Sequence, residues 1–282
     1  MISKFTHTWE EAVEWLRNQP DKQEIVYHCY YDDPLTEAVK RFSCSEEWSA
    51  IKSLLNKYYP GQVLDLGAGR GISSYAFAKE GCLVTSLEPD ASHLVGAQAI
   101  QSLIDSTNLQ IKIVQEYGEK LPFADNTFDI VYGRAVLHHA RDLKTLLQEV
   151  ARVLKPGGVF LATREHVISK KEDLPKFLES HPLHFLYGGE NAYLLQEYKD
   201  AITQTRIKLN KVFGPFDSVI NYAPRTQKEF QIKIASILAI IMSSKLASKT
   251  ALNHNIQQLI GWYASRISNT PGRLYTFFGV KQ

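Results

Sequence analysis

Between residues 63 and 162 the chain alternates short apolar runs with longer amphipathic segments, and this alternation limits its fold more than any other feature. The runs are rich in leucine and β-branched residues and occupy residues 63–66, 83–87, 111–114, 128–132 and 159–162. The segments between them carry apolar residues at helical spacing. Parallel strands need crossover connections, and helices supply them. The pattern therefore predicts a mostly parallel sheet with helices on both faces.

The flanking regions have a different pattern. From Trp9 to Tyr59 apolar residues recur at helical spacing, which predicts a helical N-terminal extension. After Thr163 the alternation lapses until about residue 191. A helix at 192–205, a strand at 209–213, helices over 225–268 and a closing strand at 273–280 are then expected. The fold class is therefore α/β, a doubly wound sheet of seven strands with a helical cap inserted before the last. We divide it into residues 1–59 (helical extension or lid), 60–166 (ligand-binding core) and 167–282 (acceptor-binding segment, helical cap and closing strands).

Composition excludes several classes of protein. Hydrophobic residues make up 44% and charged residues 22% of the 282, which is typical of a globular chain. A net charge of +2 does not indicate a nucleic-acid-binding protein. The most apolar stretch, residues 234–242, is far shorter than the roughly 20 residues of a membrane span and predicts a buried helix. We therefore expect neither nucleic acid nor membrane as a partner.

The cysteines and the N-terminus predict the compartment. Cys29, Cys44 and Cys82 are odd in number and form no CxxC pair, so we expect neither a disulfide framework nor a metal site. Residues 1–10 lack an apolar run behind a basic start, so they do not resemble a secretory signal. A reducing, cytoplasmic location is expected.

A glycine-rich loop follows the first predicted strand. It reads Gly67-Ala68-Gly69-Arg70-Gly71, and glycines there allow a sharp turn and close approach of a ligand to the backbone. A dinucleotide fingerprint places its third glycine one position later, where this chain has Ile72. Asp65 lies two residues before the loop, where a carboxylate repels phosphate and accepts hydrogen bonds from the turn or from a ligand ammonium. Glu88 ends the second strand 21 positions after Gly67, where an acid binds ribose hydroxyls. The expected ligand is a nucleoside that carries a cation.

These residues resemble the motifs of class I S-adenosylmethionine-dependent methyltransferases, which have a Rossmann-like fold. Residues 63–71 are similar to the first motif and residues 83–90 to the second. Residues 119–131 resemble the block leading into the fourth strand, 136–139 the segment after it, and 153–160 the turn into the fifth strand. The ordered set covers about 62–163. It implies an enzyme that binds S-adenosylmethionine.

The resemblance also implies roles for individual residues. Gly67 and Gly69, with Ala68 between them, would lie beside the methionine part of the cofactor, Glu88 on the ribose, and the Gly118 backbone N–H on adenine. The family usually has Asp before the position of Gly118, whereas this chain has Tyr117 preceded by Glu116, and either side chain is open as the replacement. By topology Arg134 faces the same crevice and is expected to line the cofactor.

Candidate residues for the methyl acceptor follow the fourth and fifth strands. His138 and His139 are candidates for a base or for orienting the acceptor, and they can equally pack the next helix. Arg164 is a candidate clamp for an acceptor carboxylate and His166 a candidate proton acceptor; the alternative is a solvated, charged loop.

Three segments outside the core are expected to wall the acceptor pocket. They are Tyr27, Tyr30 and Tyr31; residues 181–191; and the apolar helix with Ile237, Ile240 and Ile241. The alternative for such apolar residues at helical spacing is core packing.

The sequence limits the class of methyl acceptor without identifying the molecule. The Asn/Asp-Pro-Pro-aromatic motif of amine-methylating DNA enzymes is absent, since Tyr132-Gly133-Arg134-Ala135 stands in its place, and no cysteine follows a proline. We expect transfer to a hydroxyl or carboxylate oxygen of a small molecule or peptide natural product. N- or C-methylation, a nicotinamide oxidoreductase and a non-catalytic cofactor-binding protein are the alternatives. The oligomeric state is open.

Overall fold

The computed structural model describes residues 5–282, and a single mixed sheet forms its centre. Within these residues the sheet has eight strands, in the order β3-β2-β1-β4-β5-β8-β7, with β6 paired to the far end of β5. Strands β1 to β5 are parallel, whereas β8 runs antiparallel to both β5 and β7. The strands are β1 (Gln62–Leu66), β2 (Leu83–Leu87), β3 (Ile111–Val114), β4 (Phe128–Arg134), β5 (Leu154–Ile168), β6 (Tyr193–Leu194), β7 (Ile207–Phe213) and β8 (Arg273–Lys281).

Helices precede the sheet, connect its strands and fill the gap between β7 and β8. Short 3-10 helices lie at Pro20–Lys22, Asn56–Tyr58, Leu137–His139 and Lys171–Asp173. The α-helices described in residues 5–282 are α1 (Trp9–Arg17), α2 (Gln23–His28), α3 (Leu35–Ser43), α4 (Glu46–Leu55), α5 (Ile72–Lys79), α6 (Ala97–Thr107), α7 (Leu143–Val153), α8 (Leu174–Ser180), α9 (His184–Tyr187), α10 (Leu195–Thr203), α11 (Val219–Tyr222), α12 (Gln227–Leu238), α13 (Ser244–Ala251) and α14 (His254–Ile267).

The predicted fold class is confirmed, including the helical N-terminal extension and the helical cap before the last strand. The strand count differs by one, because β5 runs past Thr163 to Ile168 and its end pairs with the two-residue strand β6. The sequence places a helix at residue 192, but Tyr193 and Leu194 are extended and the helix begins at Leu195. No periodicity marks a strand of two residues. The division at residues 59 and 166 stays a prediction.

Two apolar clusters cover the two faces of the sheet. Because neighbouring residues of a strand point to opposite faces, Leu64 and Phe160 join one cluster while Val63 and Leu161 join the other. All four side chains are fully buried. This two-sided burial explains why the central strands have continuous apolar runs instead of a polar alternation.

The N-terminal extension packs in two places. In α4, Trp48 and Ile51 belong to the same sheet-face cluster as Val63 and Phe77. In α1, Val13 and Leu16 instead form a separate cluster, which includes Leu183 and Leu186 beside α9. The first helices of the extension therefore hold the 181–191 segment against the core.

The apolar stretch at residues 234–242 is not a buried helix. Ile234 is buried, but Ile237, Ile240 and Ile241 are exposed by 51%, 81% and 78%. Pairing of α12 with α13 and α14 buries one side and leaves these side chains outside. Within residues 5–282, the structure has no helix both long and apolar enough to span a bilayer. The prediction that residues 1–10 do not resemble a secretory signal falls partly on residues 1–4, which lie outside the described part.

Candidate functional site

The loop after β1 depends on glycine. Gly67, Gly69 and Gly71 have φ angles of +62°, +54° and +81°, a region that L side chains rarely adopt. A Cβ built on Gly67 would also lie 2.3 Å from Val136 Cγ2. The turn therefore needs these glycines for its conformation and, at residue 67, for packing against the segment after β4.

Asp65 lies beneath this loop and does not reach the cavity. Its carboxylate is 1% exposed and accepts hydrogen bonds from the hydroxyls of Ser73, at 3.2 Å, and Ser74, at 2.5 Å. Burial raises its pKa to about 6. The structure thus does not bring Asp65 to a ligand ammonium; the side chain fixes α5 to the end of β1.

Glu88 stands at the end of β2 and faces the loop. Its Oε2 accepts from the Gly69 N–H at 2.7 Å, and its Oε1 accepts from the Asp90 N–H at 2.9 Å. Burial raises the pKa of Glu88 to about 7. Its buried carboxylate therefore presents acceptor oxygens beside the glycine turn.

Tyr117 and Gly118 line the same cavity as the glycine loop and Glu88. Tyr117 is half-exposed, and the Arg141 guanidinium lies 4.1 Å above its ring centroid. The Glu116 carboxylate accepts from the Tyr117 backbone N–H at 2.9 Å. A Cβ on Gly118 would lie 2.7 Å from Leu146 Cδ1, so this position has no room for a side chain. Both candidates for the missing acid, Glu116 and Tyr117, line the cavity.

One cavity of about 630 Å³ collects nearly all of the predicted site residues. Among the described residues, Asp65 is the one predicted cofactor-binding residue outside its lining. Residues 181–183, Tyr187 and Glu190 also line it, as do Tyr30 and Tyr31, whereas Tyr27 and the apolar helix α12 do not. The predicted residues that share the cavity are Gly67, Ala68, Gly69, Glu88, Tyr117, Gly118, Arg134, His138, Arg164 and His166.

The prediction that Ile237, Ile240 and Ile241 wall the acceptor pocket is therefore wrong. These residues belong to the outer surface of the cap, where α12 packs on α13 and α14 instead of over the carboxyl ends of the strands.

Two of the arginines that line the cavity, Arg134 and Arg164, bind protein groups. Arg134 donates from Nε to Glu47 Oε1 at 2.8 Å and from Nη2 to Glu47 Oε2 at 3.1 Å. Arg164 Nη1 donates to the carbonyls of Ile220 and Ala223, both at 2.9 Å. Arg134 thus ties β4 to α4, and Arg164 ties β5 to the segment around α11. Their roles toward a cofactor and an acceptor stay predictions.

Arg70 connects the glycine loop to the N-terminal extension. Its Nη1 donates to the carbonyls of Tyr30 and Asp32 at 2.9 and 3.1 Å, and its Nη2 pairs with Asp33 Oδ1 at 2.6 Å. The side chain is 6% exposed. The loop therefore holds the segment after α2 over the cavity.

The donor set fits S-adenosylmethionine better than a nucleotide phosphate. Arg70, Arg134 and Arg164 already bind carboxylates or carbonyls, so these cations are not free for phosphates. Glu88 supplies the acceptor that ribose hydroxyls need. The cavity volume lies within the range of small-molecule sites, about 300–1,000 Å³.

Away from the glycine loop and Glu88, Glu165 fixes the segment after β4. This fully buried carboxylate accepts from the backbone N–H groups of Val136, Leu137 and His138 at 3.0 to 3.2 Å. It also lies 2.8 Å from His138 Nδ1. Burial opposes the positive charge of His138, but the carboxylates of Glu165 and Glu190 outweigh it and raise the His138 pKa to about 9.

His139 and His166 have oriented rings. Nδ1 of His139 lies 3.0 Å from the Gly189 carbonyl oxygen, and Nδ1 of His166 lies 2.8 Å from that of Gly272. Since a carbonyl only accepts, each Nδ1 carries the proton and each Nε2 has the lone pair. Burial lowers the pKa of His166 to about 3, so this ring is neutral.

Sequence reasoning did not single out Glu165, Glu190 or Glu47 as individual site residues. Glu165 lies inside the Arg164-Glu165-His166 cluster, and its inward position follows from strand alternation only once the bulge in β5 between Ala162 and Glu165 is known. Glu47 is on the first turn of α4, where acidic residues are ordinary. No local signal marks either as buried.

Comparison with known proteins agrees with this geometry. A family model described as a methyltransferase domain matches residues 64–162. An uncharacterised methyltransferase of Bacillus subtilis is 32% identical over 119 residues, 42% of this chain and 45% of that protein. A ubiquinone biosynthesis O-methyltransferase of Rhizobium leguminosarum is 29% identical over 176 residues, 61% of this chain and 68% of that protein. The chain thus spans less than half the length of the first of these relatives.

A solved structure shows the same fold over nearly the whole length. A geranyl diphosphate C-methyltransferase from Streptomyces coelicolor superposes with a TM-score of 0.58 at 15% identity, covering 97% of each chain. This likeness concerns the fold. Residues 64–162 therefore match a methyltransferase domain, and the chain has the Rossmann-like fold of the class I S-adenosylmethionine-dependent methyltransferases, whose cofactor is S-adenosylmethionine.

Proposed function

We propose that this chain transfers a methyl group from S-adenosylmethionine to a hydroxyl or carboxyl oxygen of a small molecule or peptide natural product. The observation that carries the proposal is the shared cavity. The glycine loop and Glu88 line one part of it, and His138, Arg164 and His166 line another. Donor and acceptor sites in one cavity permit the in-line approach on which methyl transfer depends.

The residues of the glycine loop, Glu88 and Gly118 give each part of the cofactor a partner. Gly67 and Gly69 allow the ligand to approach the backbone, Glu88 accepts from the ribose hydroxyls, and the Gly118 N–H is the candidate donor to adenine. When bound, the sulfonium supplies an activated methyl group, so the protein's main task is to hold the two reactants in place.

His166 supports an oxygen acceptor. Because its Nδ1 donates to Gly272, its Nε2 accepts a hydrogen bond, and a hydroxyl or protonated carboxyl group supplies one. The ring lies 4.7 Å from that of His138, measured between centroids, so the acceptor wall is polar here. We assign His166 the role of orienting the acceptor oxygen toward the methyl donor.

The rest of the acceptor wall favours a small organic molecule. It is built from apolar and aromatic side chains of the extension and of the 181–191 segment, including Trp9, Tyr31, Leu183 and Tyr187. Trp9 and Tyr187 pack against each other with ring centroids 4.6 Å apart. This enclosure has no room for a folded domain, and it suits an acceptor with an apolar body and one polar end.

Transfer of isotope-labelled methyl from S-adenosylmethionine to a panel of acceptors tests the proposal. The panel contains phenols, hydroxy acids, carboxylic acids, amines and thiols, and NMR of the products identifies the bond formed. We expect label in methyl ethers or esters. Label only on nitrogen, sulfur or carbon would contradict oxygen transfer, and N- or C-methylation would then take its place.

His166→Gln tests the assigned role. We expect the KM for the acceptor to rise about tenfold with cofactor affinity unchanged, because one oriented hydrogen bond is worth about 1 kcal/mol or somewhat more. His254→Gln on the exposed side of α14 is the matched control and should leave both quantities unchanged. An unchanged KM in His166→Gln would remove His166 from the acceptor site.

A further inference from the structure

Histidine and carboxylate groups from separate segments converge on the acceptor side of the cavity. His138, His139 and Glu190 each offer one ligand atom, and these atoms all lie within 4.8 Å of one another. We propose that His138, His139 and Glu190 bind one divalent transition-metal ion, of the class of Zn²⁺ or Fe²⁺, at this point. The cysteine pattern predicts no metal site, but it is silent about histidines brought together by folding.

Both imidazoles are held in the orientation that metal ligation needs. Nδ1 of His138 is bound to the Glu165 carboxylate at 2.8 Å, and Nδ1 of His139 to the Gly189 carbonyl at 3.0 Å. Metal-binding histidines characteristically donate their second ring N–H to a carboxylate or a carbonyl, which fixes the ring and leaves Nε2 for the ion. The supporting shell of a metal site is therefore already present.

Glu190 supplies an unused carboxylate oxygen. Its side chain is 4% exposed, and its Oε2 is buried without a hydrogen-bond partner in the described part of the chain. This oxygen lies 3.6 Å from His138 Nε2, while Oε1 accepts from the Tyr187 hydroxyl. Ligands about 2.1 Å from a tetrahedral ion stand roughly 3.4 Å apart, so the observed separation needs little adjustment. The ion takes the place of a proton between His138 and Glu190.

The ligand types select the class of metal. Two imidazoles and one carboxylate suit zinc and other first-row transition metals, whereas Mg²⁺ and Ca²⁺ prefer oxygen ligands throughout. Three protein ligands leave at least one coordination position open, as in catalytic sites. His138 and Glu190 are buried while His139 is exposed, and all three line the cavity, so the open position faces the acceptor space.

A second group shares Glu190 but is less suited to an ion. His166, His181 and Glu190 also place ligand atoms within 4.8 Å of one another. However, Nδ1 of His181 accepts from the Leu183 backbone N–H at 3.4 Å, which puts the ring proton on Nε2, the atom 3.6 Å from Glu190 Oε1. That tautomer has no lone pair on the nitrogen facing Glu190, so the first group is the binding site.

The site has a chemical use that rests on the proposed function. A hydroxyl oxygen of the acceptor that binds the open position loses its proton to water more readily, because the ion stabilises the resulting oxyanion. The oxygen–carbon bond then forms as the sulfur–methyl bond breaks, and S-adenosylhomocysteine leaves.

Metal binding is measured on the full chain without acceptor. After treatment with a chelator and its removal, the chain is dialysed against Zn²⁺, and separately against Co²⁺ to record its visible absorption. We expect one ion per chain, and we expect His139→Gln and Glu190→Gln each to weaken the affinity about 100-fold or more. His181→Gln and His254→Gln should stay within about threefold. Circular dichroism and thermal melting verify that each variant is folded.

The outcomes distinguish failure of the metal site from failure of the proposed oxygen methylation. No ion bound, or His181→Gln weakening binding while His139→Gln does not, overturns the assignment. One ion bound with no methyl ether or ester formed from the acceptor panel leaves the site in place and refutes oxygen transfer. Equal rates of oxygen methylation with and without chelator, in a chain that binds no ion, refute the site and leave the proposed function in place.

Discussion

The two parts of the cavity are built in opposite ways. The cofactor part consists of the glycine loop, Glu88 and residues 116–118, and lies within the continuous run of motifs between residues 62 and 163. The proposed acceptor part is lined by His138, His139, His166 and Glu190, with the buried Glu165 behind them, and these residues come from three separate segments. Backbone groups dominate the first and buried ionisable side chains the second. The first is therefore set by local conformation and the second by tertiary packing.

This difference has an energetic consequence. Changes at Gly69 and Glu88 should alter ligand affinity more than folding, because Gly69 has room for a Cβ and both residues line the cavity. Changes in the acceptor part should cost stability, because Glu165 satisfies several buried donors at once. Two substitutions and one pH dependence test this contrast, in decreasing order of effect.

Glu165→Ala should show the largest effect. It leaves the N–H groups of Val136, Leu137 and His138 without their acceptor. An unsatisfied buried donor costs about 1–3 kcal/mol, so we expect the free energy of unfolding to fall by about 4 kcal/mol. Urea denaturation followed by tryptophan fluorescence measures it. Glu179→Ala, at an exposed position of α8, is the control and should change stability by less than about 0.5 kcal/mol.

A loss below about 1 kcal/mol in Glu165→Ala would break the contrast. Water would then be replacing the carboxylate, and the acceptor part would be as tolerant as the cofactor part. Glu165→Gln refines the result, because it keeps an acceptor oxygen and should recover part of the lost stability.

Sequence patterns predict the cofactor part because its conformation is set by residues close together in the chain. A positive φ at Gly67 and Gly69 and an acid at the end of β2 both follow from one strand-helix-strand unit, β1-α5-β2. Even there, the direction in which a side chain points does not follow from the local sequence. Asp65 stands where a ligand contact is expected, yet Ser73 and Ser74 on the next helix draw its carboxylate beneath the loop.

Gly69→Ala should give the second effect, on affinity. Its new Cβ would have no protein atom nearer than Val95 O at 3.8 Å, so folding loses only the cost of a positive φ, about 1 kcal/mol. The methyl group stands where a ligand meets the backbone, and we expect cofactor affinity to fall about 30-fold by calorimetry. Gly81→Ala is matched: φ is +84° and a Cβ there meets nothing within 4 Å.

The comparison of the two glycines is decisive for the loop. Gly81→Ala should lose the same stability and none of the affinity. If Gly69→Ala bound the cofactor normally, the ligand would not approach the backbone at residue 69, and the cofactor part would be misassigned.

The acceptor part shows where sequence reasoning stops. His138 and His166 are recognisable from their place after the fourth and fifth predicted strands. Glu190 enters the site only because α1 and α9 pack together and hold the 181–191 segment over the sheet. The apolar stretch at residues 234–242 shows the opposite error. Its residues have core-like periodicity, and yet Ile240 and Ile241, in the turn after α12, are exposed. Which partner a helix meets is a property of the whole fold and not of its own pattern.

The pH dependence of cofactor binding should give the smallest effect. Burial raises the pKa of Glu88 to about 7, with Asp90 and Asp65 adding to the rise and the Gly69 and Asp90 N–H groups opposing it. Ribose hydroxyls donate to the ionised carboxylate, so binding requires the charged form. Its fraction grows from about one tenth at pH 6 to about nine tenths at pH 8, and affinity should therefore rise about tenfold.

Calorimetry at the two pH values measures this rise in affinity, and Glu88→Gln should bind weakly at both. Asp65→Asn also removes a group with a raised pKa but lies outside the cavity. It should keep most of the rise, because burial contributes most to the raised pKa of Glu88 and Asp65 least. A flat profile in the unmodified chain, or one abolished by Asp65→Asn, would move the ribose contact away from Glu88 and leave the cofactor part without its most specific side chain.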